Sequence, residues 1–198
     1  MRVHFFSYGA FDQDQVHYSK LANFIVSKQS AFIKSEMYLL RSGYPVLVES
    51  EEKNLIEGIC LELEIPENYW SILDQLIGYD PQKPEKSFFH RYSVPVMIDN
   101  FSHLEAFTYG LNPKKLTSAH KKITDNNWKK SLQTCPPMAN QLQERQKIYI
   151  QKLSKSKGRD IVPIKMDLYR ELMNLEMIVD KGRRLALTPL GKETALFL

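Results

Sequence analysis

A chain of 198 residues, 43% hydrophobic and 25% charged with a net charge of only +4, has enough apolar content to build a core and too little charge imbalance for intrinsic disorder. It contains no run of about 18 apolar residues, which excludes a spanning helix. The opening Met1–Gly9 stretch lacks the apolar length and small-residue cleavage site of a secretory signal, so a cytoplasmic location is expected. Two distant cysteines, Cys60 and Cys135, make neither a disulfide framework nor a structural zinc site, and the five histidines form no short His-x-x-His pairing. No metal and no cofactor is expected.

Val3 to Tyr8 is short, aromatic and closed by Gly9, which predicts a buried strand. Residues 13–28 carry Val16, Leu21, Phe24 and Ile25 at helical spacing, so a helix is predicted there. Met37 to Leu40 is an apolar run ended by the turn Ser42-Gly43-Tyr44-Pro45. From Gly58 to Ile65 the pattern alternates: Ile59, Leu61, Leu63 and Ile65 on one face, Cys60, Glu62 and Glu64 on a wet one. Pro66 opens a helix over 66–77 with a stripe of Tyr69, Ile72, Leu73, Leu76 and Ile77, stopped by Gly78. Ser93 to Ile98 alternates again, Pro95 marking an edge or bulge, and Glu105 to Tyr109 is a last short strand. One-off helices between strands do not make a βαβ series. The expected class is α+β, a mostly antiparallel barrel with flanking helices.

Charge then changes sign. Residues 1–112 hold nine basic and 15 acidic side chains (net −6), and residues 113–198 hold 18 and eight (net +10). With the turn signal Asn112-Pro113-Lys114-Lys115, this puts a domain at 1–112 and a basic, mainly helical C-terminal region at 113–198, the seam falling between about 112 and 125. Pro136-Pro137 opens a helix to about 156 carrying Leu142, Tyr149 and Leu153, and a second runs over about 164–178 with Leu168, Leu172 and Leu175. Ile178 to Gly191 resembles the wing and last helix of winged-helix proteins, with a hairpin near 180–187 and Thr188 capping a helix that begins at Pro189.

The order of motifs in the first part carries a further resemblance. Phe5-Phe6-Ser7-Tyr8-Gly9-Ala10-Phe11 resembles the opening strand and Tyr-Gly loop of the γ-glutamylcyclotransferase-like, or AIG2-like, family. Met37-Tyr38-Leu39-Leu40 with Gly43-Tyr44-Pro45, then Ile56 to Leu63, then Leu73-Asp74-Gln75-Leu76-Ile77-Gly78-Tyr79, are similar to its next segments in the same order. Phe88 to Val96 resembles its tyrosine-x-arginine strand and Glu105 to Tyr109 its closing strand, so the likeness covers about residues 3–110. It implies a ligand bearing a γ-glutamyl or similar carboxylate group. The implied reaction is attack of the substrate's α-amine on its own γ-carbonyl, which forms 5-oxoproline and releases an amine. It further implies that Tyr8, Gly9, Ala10 and Phe11 supply backbone donors and pocket walls, with Tyr44 and Tyr109 as walls and Arg91 as a carboxylate clamp. Arg91 reads more simply as the partner of a nearby acid.

The departure is at Ile77, where the family has a glutamate. A carboxylate there takes a proton from the amine and returns one to the leaving nitrogen, help worth about 10²–10⁴ in rate. Isoleucine supplies none of it. Asp74, Asp80, Glu36, Glu57 and Glu62 are the candidates to replace it, each more simply read as a solvated surface acid. Two functions follow. One is a cyclotransferase-like protein whose activity is altered or lost, a pseudoenzyme in the second case. The other is a non-catalytic module that binds a small ligand or a partner, its basic tail touching nucleic acid or an acidic protein. Lysine-rich helices are more often solvated faces, and no membrane partner is expected.

Overall fold

The computed structural model describes residues 1–49, 54–98, 103–125, 127–157 and 160–198. They divide into two compact units: Met1–Leu40 with Tyr44–Cys135, and Arg41–Gly43 with Pro136–Leu198.

In the first unit the strands are β1 (Arg2–Ser7), β2 (Ile25–Leu39), β3 (Pro45–Val48), β4 (Asn54–Glu64), β5 (Phe89–Met97), β6 (His103–Leu111) and the two-residue β7 (Lys121–Lys122). The ring β1-β4-β2-β3-β6 closes because β6 also pairs with β1; β5 joins β6 and β2, and β7 adds to β2. Most pairs are antiparallel, but the junctions β1–β6 and β3–β6 are parallel. The result is a closed, mixed α+β barrel. Helices α1 (Tyr18–Ala22), α2 (Tyr69–Ile77) and α3 (Trp128–Thr134) complete the unit. Among the described residues no helix is long and apolar enough to cross a membrane.

Three local expectations are corrected. The helix over 13–28 shrinks to Tyr18–Ala22, and Ile25 opens the longest strand. Asp14 sits at φ +66°, outside helical space, and residues 26–30 are exposed, so no alternation marks them as strand; their pairing with β4 does. On β4, Cys60 is buried and Ile59 only half-buried. Ile56, Gly58 and Cys60 share the face that meets the barrel core, and from Leu61 onward the opposite face is buried too. Gly58 is required there, because a Cβ would stand 2.4 Å from the Phe6 ring. On α2 the buried residues are Trp70, Leu73, Asp74 and Ile77, while Ile72 is 49% exposed. The inward stripe is therefore rotated from the one expected and carries a carboxylate.

The seam lies later than the charge step suggests. Residues 113–135 belong to the first unit: β7 pairs with β2, and Ile123 and Trp128 pack with Phe6, Ile33, Met37 and Ile56. Trp128 is 2% exposed and its Nε1 donates to the Glu57 carbonyl at 2.8 Å. The reason is physical: charge counted along the chain does not show which core the apolar residues of the segment, here Ile123 and Trp128, will join.

The second unit contains α4 (Met138–Gln141), α5 (Glu144–Lys155), α6 (Met166–Asn174), the hairpin β8 (Ile178–Asp180) with β9 (Leu185–Leu187), and α7 (Pro189–Ala195). The helix foreseen over about 138–156 breaks at Leu142 (ψ 140°), and α5 restarts with a reciprocal Gln143–Gln146 cap. Its core gathers Leu142, Tyr149, Ile150, Leu153, Leu172, Met177, Ile178, Leu187 and Leu190. Thr188 Oγ1 accepts from the Gly191 amide at 3.0 Å, with Pro189 in the first helical position.

Candidate active site

The loop that follows β1 is a single turn of 3₁₀ helix over Gly9–Phe11, wholly buried. Gly9 has φ +53°, and a Cβ there would lie 2.9 Å from the Pro45 carbonyl oxygen, so a side chain is refused on two counts. Ser7 Oγ donates to the Phe11 carbonyl at 2.6 Å, and the Phe11 and Asp12 amides donate back to Tyr8 and Gly9. Among the described residues nothing accepts from the Gly9 and Ala10 amides. Buried backbone donors normally find a partner, so these two are the candidate donors for a ligand.

Tyr8 is a cross-link. Its hydroxyl donates to the Tyr109 carbonyl at 2.7 Å and accepts from the Leu47 amide at 3.0 Å, and burial holds its pKa well above the ordinary phenol value. That hydroxyl is already spent on structure. Tyr44 is also buried, its pKa pushed up to about 12 by loss of water.

On the neighbouring face Arg91 of β5 and Tyr109 of β6 are directly opposed across the strands. Both reach Asp74 of α2: the Tyr109 hydroxyl donates to Oδ1 at 2.7 Å, and Arg91 Nε lies 3.4 Å from the same oxygen. The guanidinium carbon stands 4.3 Å from the centre of the Trp70 ring and 5.6 Å from that of Phe107. The Tyr109 ring stacks on Phe11 at 5.6 Å, which joins this cluster to the loop. Asp74 is 4% exposed. Burial raises its pKa, and the Tyr109 hydrogen bond and Arg91 charge offset this only in part. Tyr109 is itself raised, first by burial and then by donating to Asp74.

Ile77 lies one turn beyond Asp74 on the same buried face and is 2% exposed. The structure thus gathers Tyr8, Gly9, Ala10, Phe11, Tyr109, Arg91 and Asp74. It does not bring the other acids into this hydrogen-bonded group. Asp80 is exposed and accepts from the Gln82 amide; Glu57 is exposed; Glu62 meets Ser27 and Arg2; Glu36 is buried on β2 against Lys122 and the Tyr38 hydroxyl. Arg91 pairs with an acid, as its simpler reading had it.

Sequence reasoning passed over Asp12. Its carboxyl is buried directly after the loop, Oδ1 has no donor among the described residues, and burial raises its pKa against the pull of Lys129. No local signal separates it from exposed Asp14 two positions on. Among the described residues no group of three His, Cys, Asp or Glu side chains could hold a metal ion.

Comparison with known proteins bears on this arrangement. The sequence profile of the family described as γ-glutamyl cyclotransferase, AIG2-like, matches residues 5–130. The crystal structure of YkqA from Bacillus subtilis matches with a TM-score of 0.50 at 21% identity, over 68% of this chain and 42% of that one. The chain therefore spans less than half the length of that relative. An AIG2-like protein from Mus musculus matches with a TM-score of 0.44 at 14% identity, over 59% and 80% of the two chains. The Kluyveromyces lactis urea amidolyase matches at 0.50 and 13% identity, over 76% of this chain and 9% of that one. At these identities YkqA and the amidolyase speak for the fold alone. A comparison with curated proteins found no match.

Proposed function

The chain belongs to the γ-glutamyl cyclotransferase, AIG2-like family, and from that premise we propose that its first unit binds a small ligand carrying a γ-glutamyl or similar carboxylate group while forming 5-oxoproline very slowly or not at all. The observation that carries this reading is Ile77. At the place where the resemblance calls for a proton-transferring glutamate, the side chain is apolar and 2% exposed. A mostly protonated α-amine must lose a proton before it attacks, and the departing nitrogen must gain one. The nearest buried carboxyl, Asp74, is already engaged by Tyr109 and Arg91.

The binding half of such a site has support of its own. The Gly9 and Ala10 amides are unspent among the described residues and can hold a carboxylate or polarise a carbonyl. Phe11 and Tyr109 supply a stacked aromatic wall.

The test compares wild type with Ile77→Glu, using Ile77→Gln as a control for burying a polar group. A carboxylate in this apolar setting has a raised pKa, in the range a proton-transfer group needs. Calorimetric binding of γ-glutamyl dipeptides and γ-glutamyl amines is expected for wild type, with 5-oxoproline release measurable only in Ile77→Glu. Strong release by wild type would overturn the reading and point to a substitute acid, which Asp74→Asn and Asp12→Asn would then locate. Absence of binding by either protein would leave the unit a module for a different ligand or partner.

A further inference from the structure

The second unit contains a cavity of about 560 Å³ between the end of α5, the β8–β9 hairpin and α7. Four cations line it, Lys157, Lys181, Arg184 and Lys192, against one acid, Asp160. Asp160 Oδ2 is itself held by the Lys157 amide at 2.7 Å. The floor is apolar, made by Leu153, Leu185, Leu187 and Leu196.

The charge here is not an average property of a basic tail. Residues 136–198 hold 12 Lys+Arg and seven Asp+Glu, and most of the acids are committed elsewhere. Asp167 and Glu171 pair with Arg145, Glu176 with Arg41, Glu193 accepts from the Ser42 amide, and Asp180 caps the hairpin turn at the Gly182 amide. Among the described residues no ion pair includes Lys157, Lys181 or Lys192. Three lysines that converge on a concave surface outside any ion pair favour an anion. A cavity of this volume lies within the range of small-molecule sites, which combine an apolar lining with a few placed charges.

We propose that this groove binds a small phosphorylated molecule with an aromatic or apolar body, of mononucleotide size: the phosphates lie among Lys157, Lys181, Arg184 and Lys192, and the body lies on the leucine floor. A duplex nucleic acid is the weaker fit. The helix in front of the hairpin, α6, carries two acids, Asp167 and Glu171, and one cation, Arg170, which is too little positive charge to follow a duplex backbone.

The experiment titrates the full chain calorimetrically with ADP, inorganic pyrophosphate, adenosine and a short duplex DNA. ADP is expected to bind, pyrophosphate more weakly, and adenosine not at all. Lys181→Glu/Lys192→Glu should weaken ADP about tenfold or more, since charge-assisted bonds to phosphate are lost. The neutral pair Lys181→Gln/Lys192→Gln should weaken it by a smaller factor, and Arg170→Glu, exposed and outside the groove, should leave it unchanged. All of these substitutions are at exposed positions, and thermal melting checks that each variant is folded. Failure of both ADP and pyrophosphate to bind would overturn the proposal. So would equal loss of ADP in Arg170→Glu, or duplex DNA binding tighter than ADP that all the charge-reversed variants weaken alike.

Discussion

Asp74 shows at residue scale how one carboxyl can stabilise a fold while opposing its own ionisation. Its folded pKa is above the ordinary 3.8, with burial the largest cause. The folded state therefore holds the proton more tightly than the unfolded one. The sign follows: this group's contribution to stability is largest below its unfolded pKa and is lost as pH rises through the folded value. Asp74→Asn removes the titration and keeps an acceptor for Tyr109. It should flatten the stability profile, measured by urea unfolding, as pH rises above the ordinary carboxylate value of 3.8. Asp74→Ala should cost more than Asp74→Asn, by about 1–3 kcal/mol, because the Tyr109 hydroxyl is left buried without an acceptor. An unchanged pH profile in Asp74→Asn would show that the carboxyl does not titrate differently on folding.

At the scale of elements, α3 and the segment before it complete the barrel. Trp128 fills space beside Phe6, Ile33 and Ile56 and satisfies the Glu57 carbonyl. Trp128→Ala should destabilise the protein by about 3–5 kcal/mol, the usual cost of deleting a large buried aromatic. Trp128→Phe should cost distinctly less, since most of the apolar contact survives and one hydrogen bond is lost. Chemical denaturation of the two variants separates the packing from the polar contribution. Near-equal losses would mean that the Nε1 bond, rather than the ring, holds α3 in place.

For the molecule as a whole, the position of the seam can be tested by truncation. A fragment ending at Cys135 keeps Ile123, Trp128 and the Lys122 partner of Glu36. One ending at Asn112 loses all three and leaves Glu36, 6% exposed, without that cation. A buried carboxylate stripped of its counter-charge is strongly destabilising, by about 3–5 kcal/mol. The longer fragment should therefore melt cooperatively and well above the shorter one. Equal melting temperatures would return the seam to the charge step near residue 112.

What the chain alone determined is local in origin. The alternation from Ser93 to Ile98, the Tyr-Gly loop, the Gly78 stop of α2 and the Thr188-Pro189 start of α7 each depend on neighbouring residues, and the ordered motifs sufficed to point to the barrel. The absence of a glutamate at position 77 likewise needs no coordinates to read. Other features were decided only when distant segments met. The exposed first half of β2 has no periodicity of its own and takes its conformation from β4. The inward turn of Asp74 depends on Tyr109, 35 residues later, and on Arg91 opposite it. Trp128 joins the first unit because a cavity beside Phe6 and Glu57 accepts it. Charge counted along the chain could not reveal that, because an exposed lysine costs nearly nothing wherever it lies, whereas a buried ring or carboxyl must find partners that only the folded chain supplies.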